Sequence, residues 1–208
     1  MRSEPRSPSC EQVRADPACF GEFVAGCRGR LLRMVDIRMD PRLRGRLDAS
    51  DVVQDACAEA VKRLPDWLDG GEMPLHLWLR FLTGQRLLQL ERHHLGAQMR
   101  EVGREVSLQS AVPDASAATI ASAIAESGAL TPSGVALQEE RAQRLRAALE
   151  SMKPEDREVL VLRHFEQLNN ADVARLLGLS QAGASLRYLR AAKRLREVLA
   201  EVSASARP

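Results

Sequence analysis

Apolar residues recur along most of this chain at alternating intervals of three and four, the signature of one buried face on an α-helix. Phe20, Val24, Cys27, Leu31 and Met34 share such a face and predict a helix from about Cys19 to Met39. Pro41 and Gly45 end it. A second helix is expected from Ser50, which suits an N-cap, with Asp51 in the first turn where the helix dipole favours negative charge. Its stripe is Val53, Ala56, Cys57, Ala60, Val61 and Leu64, and Pro65 stops it. The segment Pro65–Pro74, holding Gly70 and Gly71, reads as a loop. A third, long helix follows from Pro74 to about Arg100, with Leu75, Trp78, Leu79, Leu82 and Leu90 inward. Gly84 inside it is a local weakness of about 1 kcal/mol relative to Ala.

The pattern then lapses. Val106 to Gly134 is rich in Ala and Ser, carries few charges and contains Pro113, Gly128, Pro132 and Gly134. This reads as a linker, with transient helix around Ile120–Ile124. Helical spacing returns from about Val135 to Met152. Pro154, then Glu155 and Asp156, opens a helix running to about Gln167. Two further elements are expected over Asn170–Leu177 and Ser180–Val202. The expected organisation is a disordered arm (1–17), a helical domain (18–102), a flexible linker (103–134) and a second helical domain (135–203). The fold class is all-α.

Composition supports this reading. Aromatic residues make up 3% of the 208 residues, while the helix formers Ala, Leu, Arg and Glu dominate. The net charge of +2 identifies no partner, but its distribution is uneven. Arg190, Lys193, Arg194 and Arg196 crowd one stretch; Asp48, Asp51, Asp55 and Glu59 crowd another. Cys10, Cys19, Cys27 and Cys57 form no C-x-x-C pair, so reduced thiols are expected, with no metal and no cofactor. No signal-peptide core and no membrane-spanning run is present, which implies a soluble, cytoplasmic protein.

The most specific local signal lies between Asn169 and Arg196. Asn169 can cap a helix whose third residue is Asp172, a variant of the capping box. Val173, Ala174 and Leu177 face inward, Gly178 ends the helix, Leu179 plugs the turn and Ser180 caps the next helix. A short helix, a tight turn with Gly and a second capped helix make a helix-turn-helix, whose second helix is built for the DNA major groove. On that helix Ala184, Tyr188, Ala191, Leu195 and Val198 point to the core. Gln181, Ala182, Ser185, Arg187 and Arg190 point elsewhere, and Gln and Arg can pair with adenine and guanine edges. Lys193, Arg194 and Arg196 suit phosphate. Leu186 and Leu189 project away from the core face, either toward a neighbouring helix or toward thymine methyls.

On these residues the chain resembles an extracytoplasmic-function (ECF) sigma factor of bacterial RNA polymerase. Leu177-Gly178-Leu179-Ser180 through Arg187, with Arg190 to Arg196, resembles the family's region that reads the −35 promoter element. Tyr188, on the core-facing row, is also expected among the DNA-binding residues of this helix. Asp48-Ala49-Ser50-Asp51-Val52-Val53-Gln54-Asp55 resembles the segment that binds core polymerase. It implies that Asp51, Gln54, Asp55 and Glu59 meet the clamp of the largest subunit; an acidic stripe at four-residue spacing suits a basic protein surface. Trp78-Leu79 followed by Arg86 and Arg92 resembles the segment that opens and reads the −10 element, implying DNA contacts from Arg80, Arg86, Gln89, Arg92 and His93. Strand capture would rest on charge and on a pocket in the Pro65–Pro74 loop. Gln85 and Gln89 stand where family members often carry Asn and Asp, and Ala184 where a larger β-branched residue is usual.

The implied partners are core RNA polymerase and promoter DNA, with an anti-sigma factor as a further candidate and no membrane. The alternative is a helix-turn-helix regulator acting without core polymerase, although no strand–helix alternation of a receiver domain occurs. A purely protein-binding adaptor fits poorly with the basic run Arg187–Arg196. An enzyme fits least: there is no Gly-rich phosphate loop, no metal spacing and no nucleophile with an evident base. His76, His93, His94 and His164 read as surface or groove residues.

Overall fold

The computed structural model describes residues 7–70, 73–95, 112–126, 143 and 145–204, and among these every regular element is helical. The chain divides into two compact units, Met1–Pro113 and Asp114–Pro208.

The first unit is built on α2 (Ala18–Arg38), α3 (Ala49–Lys62) and α5 (Leu75–Leu95), which pack on one another. Phe20, Phe23, Cys27, Leu31 and Val35 of α2 join Val52, Val53 and Ala60 of α3 and Leu75, Leu79, Leu82 and Leu87 of α5 in one core. The stripe on α3 is rotated from its expected position: Val52 is buried and Val61 is 62% exposed. The cap of α3 also shifts. Asp48, not Ser50, is the N-cap, its Oδ1 accepting the Ser50 N–H at 2.7 Å. The Ser50 hydroxyl instead accepts from Arg28 Nη2 at 2.6 Å. Helix α5 buries Leu77 as well as Leu75, Trp78 and Leu79, so it is apolar around much of its girth. The part of that helix expected beyond Leu95 lies outside the described residues.

Two segments expected to be irregular are helical. The arm expected over 1–17 forms α1 (Cys10–Ala15), and its residues 1–6 lie outside the described residues. The expected loop after Pro65 begins as α4 (Leu64–Gly70). Proline at the second residue of α4 lies within the first turn, where its missing N–H has no intrahelical partner to lose. Neither helix is long enough to persist alone; each is held by the other and by the core. Ser9 and Gln12 form a capping box on α1, and Val13 enters the core. Arg14 Nη2 donates to the Leu68 carbonyl at 2.8 Å and to Asp69 Oδ1 at 3.0 Å on α4. Burying Val13 contributes about 2 kcal/mol and the capping box about 1, so the apolar anchor outweighs the cap.

In the second unit α6 (Ala117–Glu126) occupies part of the stretch read as linker. Ser116 Oγ accepts the Thr119 N–H at 3.0 Å, and Ile120 and Ala121 are buried. The rest of that stretch up to residue 142 lies outside the described residues, except 112–116. Helix α7 (145–151) is followed by α8 (Pro154–Leu160), which continues as a π-helical turn, Val161–Phe165, and then by α9 (Asn170–Leu177) and α10 (Gln181–Ala204). Pro154, Glu155 and Asp156 open α8 as expected. Arg157 Nη1 donates to the Leu149 and Met152 carbonyls, covering the end of α7. Helix α10 packs on both α8 and α9.

Two buried or strained positions yield measurable consequences. Gln167 takes a left-handed backbone, φ 55°, between the π turn and α9. A residue with a Cβ is penalised there by roughly 1–2 kcal/mol, partly offset because Gly is freer in the unfolded chain. Gln167→Gly is therefore expected to be more stable than Gln167→Ala, which loses the same side chain but keeps the Cβ, by about 0.5–1 kcal/mol in denaturant melts. Burial pushes the Glu91 carboxyl above its ordinary 4.5, against the hydrogen bond its Oε1 accepts from the Asp40 N–H at 3.1 Å. A carboxyl raised on folding favours the protonated state, so its contribution becomes unfavourable as pH rises through the folded value. Glu91→Gln keeps the acceptor and removes the charge. Thermal melts should show a stabilised variant at pH 7, with the gain fading as pH falls toward 4.5.

Candidate nucleic-acid interface

The geometry of α10 is set at its two preceding turns. Asn169 caps α9 through Oδ1, which accepts the Asp172 N–H at 2.9 Å. The box closes differently from its usual form: Asn169 Nδ2 donates to Asp172 Oδ2 at 2.7 Å, so amide and carboxylate clasp each other directly. At the other end Gly178 is left-handed, φ 63°. The Leu179 N–H donates to the Ala174 carbonyl at 2.8 Å and the Gly178 N–H to Arg175 at 3.4 Å, a Schellman motif. Asn170 Nδ2 then reaches across the turn to the Gln181 carbonyl at 2.8 Å, tying the start of α9 to the start of α10. Ser180 Oγ accepts the Gly183 N–H at 3.0 Å, the N-cap expected there.

Ala174 on α9 and Ala184 and Ala191 on α10 are buried. Side chains this small allow the crossing backbones to come close. The outward side of α10 carries Gln181, Ala182, Ser185, Arg190, Lys193, Arg194 and Arg196, all exposed, with Arg187 half-buried at its flank. Lys193 and Arg194 share Glu197 at 3.8 and 4.0 Å. Such exposed pairs are worth under about 1 kcal/mol, so phosphate can displace the carboxylate.

Tyr188 is turned back toward its own unit. Its hydroxyl meets His164 Nε2 at 3.1 Å, and the Arg163 guanidinium lies 5.5 Å from its ring centre. Arg163 Nη1 in turn donates to the Leu168 carbonyl at 2.8 Å. This bracket comes from the π turn, which aligns Arg163 and His164 with α10. Helical periodicity carried no sign of it, because a π turn breaks the register on which such reading rests.

In the first unit Asp51, Gln54, Asp55 and Glu59 are all exposed on one side of α3. Asp48 of the same acidic cluster is the helix cap. The set expected at the −10 element is divided. Arg80 is buried, 5% exposed, so it presents no surface for DNA; α5 is enclosed there by the core. Arg92, His93 and Gln89 are exposed. Arg86 donates from Nη2 and Nε to Asp55 Oδ2 at 2.7 and 3.1 Å, and from Nη1 to Gln89 Oε1 at 2.9 Å. The acidic stripe on α3 and the basic surface of α5 therefore meet in one ion pair, a link that neither helix discloses by itself. In the same unit a cavity of about 240 Å³ is lined by Arg63, Asp66, Trp67, Gly70, Met73 and Trp78. The Trp67 and Trp78 rings lie 5.9 Å apart, and Trp67 Nε1 donates to the Met73 carbonyl at 2.9 Å.

Cys27 is buried and Cys10, Cys19 and Cys57 are half-buried; none is in a disulfide, and burial raises the Cys57 thiol. Among the described residues no cluster of His, Cys, Asp and Glu is arranged to hold a metal ion. No described helix is long and apolar enough to cross a membrane.

No curated protein matches the chain. Residues 142–195, about a quarter of the sequence, match the family described as Sigma-70, region 4. The match spans α7, α8, the π turn, α9 and most of α10, and it marks this helix-turn-helix as similar to the DNA-binding module with which sigma factors act in transcription initiation.

Proposed function

We propose that the chain is a sigma factor of the extracytoplasmic-function type, which binds core RNA polymerase and directs it to particular promoters. The observation that carries this reading is the coincidence of the Sigma-70 region 4 match with a capped helix-turn-helix whose second helix exposes Arg190, Lys193, Arg194 and Arg196. The α10 face would lie against the −35 element, with Gln181, Ser185, Arg187 and Arg190 toward bases and Lys193, Arg194 and Arg196 along phosphate. The first unit would supply the core-polymerase contact through Asp51, Gln54, Asp55 and Glu59, and −10 contacts through Arg92, His93 and Gln89. Arg86 would reach DNA only by leaving Asp55. The cavity that Trp67, Met73 and Trp78 help to line would be the pocket for strand capture. The two bodies, about 18–102 and 135–203, would be joined by the 103–134 segment, and an anti-sigma factor acting on either body fits the same reading. Action in the cytoplasm follows from these partners.

Three outcomes test it. The full chain should co-purify with core polymerase, and Asp51→Arg with Asp55→Arg should weaken that association more than about ten-fold. Losing the exposed Arg86 pair costs under about 1 kcal/mol, so the variant's circular dichroism should be unchanged. Equal recovery of variant and wild type would reject the interface. In reconstituted holoenzyme, Arg187→Ala should cost about 1–3 kcal/mol and relax preference at one promoter position. Lys193→Ala should weaken all sequences alike and reduce the salt slope by about one. The reverse pattern would mean that α10 docks in another orientation.

A further inference from the structure

Ala182, Leu186, Leu189 and Lys193 follow one another at spacings of four, three and four, and so form a single row along α10. The row lies opposite buried Ala184 and Ala191. Its middle is apolar and open to solvent: Leu186 is 48% exposed and Leu189 62%. A single exposed Leu needs no explanation, but two adjacent ones at the crest of a reading helix do. The polar groups lie to either side, with Gln181 and Ser185 at the start of the helix and exposed Arg190, Arg194 and Arg196 further along.

We infer that Leu186 and Leu189 read thymine methyl groups, so that this chain selects an upstream promoter element partly by apolar contact. The inference rests on the promoter-binding reading above and concerns what is read there. A major groove presents the thymine C5-methyl on its floor and phosphates on both walls. An apolar crest with cations at its margins matches that arrangement in both shape and charge. A helix of a protein partner would match the two leucines, but it would also need acidic groups to meet Arg190, Lys193, Arg194 and Arg196 around them. The position in the helix agrees as well. Leu186 lies in the N-terminal part of α10, the part of a recognition helix that approaches base edges. At the same crest a Gln or Arg would make paired hydrogen bonds; leucine can make none, so discrimination here comes from whether a methyl is present to be covered.

The test uses the full chain reconstituted with core polymerase. Holoenzyme first selects an upstream element from randomised duplexes, and the selected duplex is resynthesised with deoxyuridine in place of each thymine in turn. Uracil pairs as thymine does and lacks only the methyl. At one or two positions the substitution should lower affinity about four-fold, the effect of one buried carbon. Leu186→Ala or Leu189→Ala should lower affinity for the thymine duplex and abolish the difference between thymine and uracil at the matching position. Both side chains are exposed, so the melting temperatures of these variants should equal that of the wild type, which separates lost contact from lost fold. A selected element without thymine overturns the inference, as does one indifferent to uracil or a methyl effect unchanged in both leucine variants. In those cases sequence-specific selection survives and the sigma-factor reading stands. If the leucine variants instead lose core polymerase without any methyl effect, the crest is a protein interface and the inference fails. If holoenzyme selects no duplex at all, both readings fail together.

Discussion

The left-handed backbone at Gly178 is the constraint on which the second unit depends. It ends α9, aims the Leu179 N–H back at the Ala174 carbonyl, and sends the chain into α10 at an angle that small side chains must then accommodate. A Cβ at 178 would meet no atom within 4 Å, so glycine is required there by backbone conformation and not by crowding. The buried alanines at 174 and 184, close to the turn, complete the arrangement, since larger residues would separate the helices and tilt the outward face. The Asn170 bridge to the Gln181 carbonyl acts on the same joint from outside. Everything that faces outward on α10 inherits its position from this turn.

The helix-turn-helix was largely legible in the sequence because its information is local. Caps at Asn169 and Ser180, a glycine at 178 and a run of alanines are each read within a few residues. The long helix α2 was legible for a similar reason, since its stripe from Phe20 to Met34 repeats over about four turns. Helices α1 and α4 were not, because each is short and its helicity is a consequence of packing against the other. Pro65 misled by ordinary logic: a proline that stops one helix also suits the first turn of the next. The resemblance implies a DNA contact at Arg80, yet Leu75, Leu77, Trp78, Leu79 and Leu82 around it are too many for one stripe, and a helix buried on most sides encloses its polar residues too. The π turn and the bracket it forms around Tyr188 depend on a non-helical register and on contacts far apart in sequence.

The ion pair between Asp55 and Arg86 changes how the first unit's surface should be understood. Read separately, α3 offers an acidic face and α5 a basic one, each suited to a different macromolecule. In the folded unit the two charges nearest each other are already satisfied, and Gln89 holds the same guanidinium from the far side. The acid left without a cation from α5 lies at Asp51 and Glu59, with Lys62 near the latter at 4.0 Å. Exchanging the charges at 55 and 86 would keep this link, which as an exposed pair contributes under about 1 kcal/mol.

The placement of the aromatic residues has an experimental use. The chain has two tryptophans, Trp67 and Trp78, both in the first unit and close together, and one tyrosine, Tyr188, in the second. Each unit thus carries its own intrinsic chromophore at a structurally informative place. Tryptophan emission follows the joint between α4 and α5, while the tyrosine band follows the contact of α10 with the π turn. Loss of the two signals at one denaturant concentration would mark the halves as a single cooperative body, and loss at two would give the stability of each within the intact chain, with no label and no truncation.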